Sequence, residues 1–156
     1  RAGALAPEPG ERILEIGPGT GYYTLPLARW IGPGGQLDVL DLQQAMLDTT
    51  MRRARESGLK NITPTCADAQ RLPYPDATFD AVVLVTTLGE IPDQDAAWGE
   101  IARVLKPAGR AINGELFGDP HWVSPATAEG RAGAAGLGRH RRLGPKGGYF
   151  GRHERT

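Results

Sequence analysis

"ILEIGPGTGYYTLPLA", residues 13–28, ends an apolar run in three glycines and a proline, then turns at once into a helix-like pattern. A glycine in regular structure costs roughly 0.5–1 kcal/mol relative to alanine. Three in one turn therefore imply a close approach that side chains would block. An apolar strand running through glycines into a helix is the arrangement that cradles a nucleotide-like ligand. Gly17 lets the chain reverse, Gly19 lets main chain approach the ligand, and the helix start offers free N–H groups. Dinucleotide-binding turns carry a third glycine at the position held here by Tyr22, whereas this chain reads G-x-G-x-G over Gly17, Gly19 and Gly21. That spacing argues against a nicotinamide-dependent oxidoreductase. A tight turn with no ligand is the plainer alternative.

Outward from this turn, two patterns alternate. Short β-branched runs occur at 12–17, 36–41, 61–68, 79–87 and 110–117. Helical segments fall between them at about 22–31, 43–57 and 93–105. The first carries Pro26 in its opening turn, where N–H groups lack partners anyway. The second places Leu47, Met51 and Ala54 at helical spacing and stops at Gly58, a left-handed cap. The third opens at Asp93, a natural N-cap, and stacks Ala97, Ile101 and Leu105 on one face before Lys106-Pro107. Strand and helix in alternation predict right-handed βαβ units and a doubly wound, mostly parallel α/β sheet. Residues 119–156 read differently. A glycine-weakened helix lies within 124–138, and "RHRRLG" with "GYFGRHER" is a candidate antiparallel hairpin.

In such a sheet ligands bind beyond the carboxyl ends of the strands. Asp41 ends the second strand, where a carboxylate accepts both hydroxyls of a ribose; an exposed acid opening a helix is the plainer reading. Asp68 closes the third strand, placed to accept a hydrogen bond from an exocyclic adenine amine, or simply to form a turn.

The chain has 156 residues, suggesting one domain, and 18 basic residues balance 18 acidic ones. Zero net charge argues against a protein whose main task is gripping nucleic acid or an anionic membrane. No apolar stretch is long enough to span a bilayer. The opening "RAGALAPEPG" lacks the regions of a signal peptide. The single cysteine, Cys66, excludes an internal disulfide and a multi-thiolate metal site. Its surroundings predict an inert thiol on a buried strand, and a cytoplasmic setting is the default expectation.

Four stretches then carry a resemblance: "ILEIGPGTG", "LDVLDLQQAML", "CADAQRLPYPDATFDAVV" and "IARVLKPAGR". In this order, over about residues 9–118, they resemble the successive motifs of class I S-adenosylmethionine-dependent methyltransferases, above all the ubiquinone/menaquinone-biosynthesis type. The resemblance implies a Rossmann-like, three-layer α/β/α fold with seven strands ordered 3-2-1-4-5-7-6. Strand seven would be antiparallel, and the tail would supply the last helix and hairpin. It implies S-adenosylmethionine as cofactor. Gly17, Gly19, Thr20 and Gly21 would wrap its methionine and ribose portions, and Glu15 would organise that loop. Asp41 would hold the ribose hydroxyls, and Leu42 would pack on the adenine. Asp68 and the backbone of Ala69 would read the adenine edge. Backbone near Val85 and Thr86 would meet the methionine amino group. The chain departs from the family in having Ala108-Gly109 after Lys-Pro, and only about ten residues before the first strand, where relatives place a lid.

The family has no fixed catalytic residue, because in-line transfer from an activated leaving group needs mainly alignment and exclusion of water. "TTLGEIP" (86–92) lacks the Asn/Asp-Pro-Pro-aromatic stretch of base amino-methylases, and Cys66 follows Thr65 rather than a proline. Thr86 and Thr87 cannot replace metal-binding carboxylates. A metal-independent methyltransferase of a small molecule remains, with a cofactor-holding module that transfers nothing as the alternative. The acceptor pocket would be lined by "TTLGEIP" and "GELFGDPHW" (114–122). Glu90, Glu115 and His121 are candidates for orienting or deprotonating an acceptor, and Tyr22, Tyr23 and Trp122 for packing it or the core. From Arg131 onward seven basic residues face one acid, Glu154, which reads as an exposed charged hairpin ahead of an RNA-binding patch.

Overall fold

Apolar central strands, more exposed edge strands and amphipathic segments between them assemble, in a computed structural model describing residues 4–144 and 147–156, into one seven-stranded sheet. In chain order the elements are β1 (Arg12–Ile16), α1 (Thr24–Ile31), β2 (Gln36–Asp41), α2 (Gln44–Glu56), β3 (Ile62–Cys66) and β4 (Phe79–Val85). A 3-10 turn (Leu88–Glu90), α3 (Gln94–Val104), β5 (Leu105–Leu116), α4 (Pro125–Ala134), β6 (Arg139–Leu143) and β7 (Gly148–Glu154) complete it. The strand order is β3-β2-β1-β4-β5-β7-β6, with β7 antiparallel to both neighbours. This is the predicted architecture, and the tail forms the predicted helix and hairpin. Lys146, counted above with the basic tail, lies outside the described residues.

The helices divide between the faces. Leu27 and Ile31 of α1, with Leu47 and Ala54 of α2, pack on Ile13, Leu37, Val39 and Val83. Trp98 and Ile101 of α3, with Ala128 and Ala132 of α4, pack on Leu14, Ile16, Val82 and Leu84. β1 and β4 are thus covered on both sides, which is why they read as continuous apolar runs. The helix stops follow local chemistry. Asp93 caps α3 by accepting the Ala96 N–H at 3.0 Å, and Gly58 follows α2 at φ +70°.

Two expectations need correcting. Cys66 is exposed, not buried: β3 is the edge strand, and the thiol lies against the Leu42 carbonyl at 3.3 Å. Tyr22 and Tyr23 are not core either, because α1 begins only at Thr24 and leaves both rings at the surface. The glycine-rich α4 docks through alanines, whose small side chains let it approach Trp98 and Leu137.

Buried polar networks fasten the ends of the chain. His153 lies at 1% exposure with Nε2 2.7 Å from Asn113 Oδ1 and Nδ1 2.9 Å from His140 Nδ1. An amide oxygen only accepts, so the His153 proton sits on Nε2 and His140 donates to Nδ1. Burial holds His153 down at about 4. At the other end Arg110 donates to both Glu11 carboxylate oxygens, at 2.8 and 2.9 Å, and to the Leu5 and Ala6 carbonyls. Its hydrogen bonds hold the Glu11 carboxyl below its ordinary value.

Removing one member of a buried ion pair costs about 3–5 kcal/mol because the other is left uncompensated. Arg110→Met should therefore lower unfolding free energy by roughly 3 kcal/mol, read from urea denaturation. Loss of only a few tenths would show that the N-terminal segment contributes nothing to stability.

Candidate active site

Every element that carries a predicted site residue ends at the carboxyl edge of the sheet, and there a cleft of about 380 Å³ opens. Gly17 and Gly19 follow β1; Asp41 ends β2, with Leu42 and Met46 after it; Asp68, Ala69 and Gln70 follow β3. Val85 ends β4, and Thr86, Thr87 and Glu90 after it close the far wall. The size suits a nucleoside-sized ligand.

The glycine loop is shaped by the protein as well as open to a ligand. Gly17, Gly19 and Gly21 all have left-handed backbone, with φ of +70°, +58° and +94°. A Cβ on Gly17 would strike Thr87 Oγ1 and lie 2.7 Å from its methyl carbon, so this glycine is required by the neighbouring strand end. Gly19 differs, for a Cβ there meets nothing within 4 Å. From behind, α2 grips the loop: Thr50 Oγ1 donates to the Gly19 carbonyl at 3.1 Å and Arg53 to the Thr20 carbonyl at 2.8 Å. Thr86 holds a positive φ of +53°, rare for a β-branched residue.

The acids are oriented by donors from the main chain. Asp41 Oδ1 accepts the Gln43 N–H at 2.9 Å, and among the described residues its other oxygen has no partner. Asp68 Oδ1 accepts the Gln70 N–H at 2.8 Å. Asp41, Asp68 and Glu90 line the cleft, and among the described residues no Lys, Arg or His lines it. The cleft therefore favours a cation.

Not every predicted site residue reaches it. Glu15, Thr20 and Gly21 lie outside the lining. Glu15 is buried at 3% beneath the loop, accepting the Thr24 hydroxyl, and burial raises it to about 7. Glu115 takes the Val123 N–H, in the segment before α4, at 3.2 Å, and burial raises it too to about 7. Its Oε2 is buried with no partner among the described residues. His121 is exposed, away from the lining; its carbonyl packs where a Gly89 side chain would go. Of the three acceptor-handling candidates only Glu90 lines the cleft, so "TTLGEIP" forms the wall while "GELFGDPHW" supports it from behind. Sequence reading missed Thr50, Arg53 and Gln70, and included Thr87 only as part of the "TTLGEIP" wall. Thr50 and Arg53 act through contacts between distant segments, and Gln70 joins Asp68 to the distant Asp93, so none has a local signature.

A doubly wound sheet with a glycine-floored, acid-lined cleft at its carboxyl edge defines a nucleoside-binding α/β domain. Residues 13–109 match the family described as "Methyltransferase domain". Over 104 residues the chain is 39% identical to the ubiquinone/menaquinone biosynthesis C-methyltransferase UbiE of Saccharophagus degradans, covering 66% of this chain and 42% of that protein. A SAM-dependent methyltransferase from Aquifex aeolicus superposes with a TM-score of 0.86 at 22% identity, over 94% of this chain and 82% of that one. The [4+2]-cyclase SpnF gives 0.78 at 30% identity, over 92% and 55%. The chain belongs to the methyltransferase domain family, within the class I S-adenosylmethionine-dependent group. It spans less than half the length of the curated relatives it matches. Among the described residues no helix is long and apolar enough to cross a membrane.

Glu15 makes the folded state prefer a protonated carboxyl. A folded value near 7 against an ordinary 4.5 gives stability that is whole below pH 4.5 and lost as pH rises through 7. Glu15→Gln should remove on the order of 3 kcal/mol of that decline. Thermal melts of both proteins should nearly coincide at pH 4, with the variant higher at pH 8. Parallel curves would mean that Glu15 ionises freely.

Proposed function

We propose that this domain binds S-adenosylmethionine in the carboxyl-edge cleft and transfers its methyl group to a small-molecule acceptor without a metal ion. The observation that carries the reading is the convergence of Gly17, Gly19, Asp41, Asp68 and Thr86 on one cleft. The residues present fit the cofactor. Asp41 retains a carboxylate oxygen for the ribose hydroxyls, and Leu42 and Met46 offer apolar surface to the base. Asp68 accepts from the exocyclic amine beside the Ala69 backbone. Gly17 and Gly19 bring main chain against the sugar and methionine portions, with Thr20 and Gly21 completing the turn and Glu15 supporting it from below. Backbone at Val85 and Thr86 faces the amino group.

When bound, the cofactor supplies a methyl group on a sulfonium, an already activated leaving group. The protein's share is alignment, exclusion of water and a negative surround for the cation. Glu90, at the cleft's edge, is placed to orient an acceptor. The exposed rings of Tyr22 and Phe117, with Leu42 and Leu116, add apolar surface at the ends of β1, β2 and β5. The C-methyltransferase names of the relatives support a small organic acceptor.

One observation favours a second reading, a module that holds the cofactor without moving its methyl group: SpnF, named a cyclase, shares this scaffold. A radiolabelled methyl-transfer screen over metabolite pools separates the two, since silence despite tight binding supports the module. Calorimetry with S-adenosylhomocysteine tests the site itself. Asp41→Ala should weaken binding by about 1–3 kcal/mol, the cost of unpairing buried polar groups. No heat from the folded wild-type protein at millimolar ligand would overturn the assignment, and an unchanged affinity in the variant would place the ribose elsewhere.

A further inference from the structure

Gln70 was no part of the sequence expectations, yet its amide is bonded on both sides. Its Nε2 lies 3.0 Å from each carboxylate oxygen of Asp68, and its own N–H adds a contact of 2.8 Å to Oδ1. On the far side Oε1 accepts the Asp93 N–H at 3.1 Å. A carboxylate only accepts and a main-chain N–H only donates, so the amide has one possible orientation. Asp93 is the residue whose side chain caps α3. The Gln70 side chain thereby ties the acid after β3 to the start of α3 and to the wall segment that ends at Pro92, and it lines the cleft itself.

An unrestrained carboxylate rotates about its bond to Cβ and offers acceptor lone pairs in no settled direction. Ionised Asp has about four such lone-pair positions. The three contacts from Gln70 occupy most of them and set the plane of the group, leaving acceptor capacity for a donor arriving from the cleft. A ligand amine meets this requirement. A ligand carbonyl at the same place would set two acceptors against each other, and leaving them unpaired carries a penalty.

We propose that Gln70 is a positioning residue for purine-edge specificity: by clamping the Asp68 carboxylate against the start of α3, it makes the cleft select a 6-amino purine over a 6-oxo purine. The inference rests on the reading of Asp68 given under Proposed function. Gln70 acts through Asp68 and takes no part in the transfer.

The test is calorimetry on the whole chain with two probes, S-adenosylhomocysteine and S-inosylhomocysteine, which differ in the amine or keto group at that edge. Wild-type protein should prefer the adenosyl probe. Gln70→Met keeps the bulk of the side chain but removes donor and acceptor, and should reduce that preference about tenfold. Gln70→Glu, nearly isosteric, puts a second carboxylate against Asp68 and should reduce it further; it also serves should the methionine variant not fold. Asp68→Asn should reduce the preference most. A merely structural role for Gln70 would weaken both probes equally and leave their ratio unchanged. Variants at Gln70 that retain the wild-type ratio while Asp68→Asn loses it overturn the inference and leave the site reading standing. An Asp68→Asn protein with the wild-type ratio removes both at once.

Discussion

The whole site depends on how closely the carboxyl ends of β1 and β4 approach each other. Parallel pairing carries the two strands in register from Ile13 opposite Ala81 to Ile16 opposite Leu84. Just past that ladder Thr87 occupies the space a side chain on residue 17 would need. Residue 17 therefore carries no side chain, and the main chain after β1 turns through left-handed glycines and brings bare backbone of Gly17 and Gly19 to the cleft. The Thr87 hydroxyl is itself held at 3.0 Å from the Val85 carbonyl, which also accepts the Thr86 hydroxyl at 2.7 Å. With its amide donated to Gly114, Thr86 is kept in a backbone region that disfavours its branched side chain. Strain of this kind persists where the surroundings over-determine the geometry, and here it borders the cleft.

Below this surface burial shifts three titratable groups toward their neutral forms. Glu15 and Glu115, both raised to about 7 by burial, favour the protonated form, whereas His153, lowered to about 4, favours the neutral base. Their effects on stability oppose each other. The carboxyls lose their contribution as pH rises from 4.5 through 7, and the histidine loses its own as pH falls from 6.5 through 4. Between those limits the slopes partly offset. Each group bears on a different junction: Glu15 on the loop and α1, Glu115 on the segment before α4, and His153 on the hairpin.

The basic tail resolves into local pairing. Arg142 binds Glu129 at 2.7 Å, Arg152 binds Glu154 at 3.2 Å, and Arg131 reaches Gln94 of α3 at 2.5 Å. Arg155 donates to the Leu105 carbonyl. Charges of this kind along β6 also blunt an edge strand that would otherwise invite pairing. Arg139 also lies 3.6 Å from Glu154, so the hairpin that ends the sheet carries several of its basic side chains in ion pairs.

Local chemistry alone determined the alternation of strands and helices, the caps at Asp93 and Gly58, the glycine turn after β1 and the acids at Asp41 and Asp68, because each is written in adjacent residues by period, conformational freedom or charge. The order β3-β2-β1-β4-β5-β7-β6 was legible through motif resemblance, since pairing between distant strands leaves no periodicity of its own. Only the tertiary structure decided that Cys66 lies on an exposed edge, that Glu115 and His121 stand outside the cleft while Glu90 lines it, and that Thr50, Arg53, Gln70 and Thr87 shape the site. Most of those roles arise where segments distant in the chain meet, and burial and hydrogen-bond partners belong to the assembled sheet and not to any stretch of the chain read by itself.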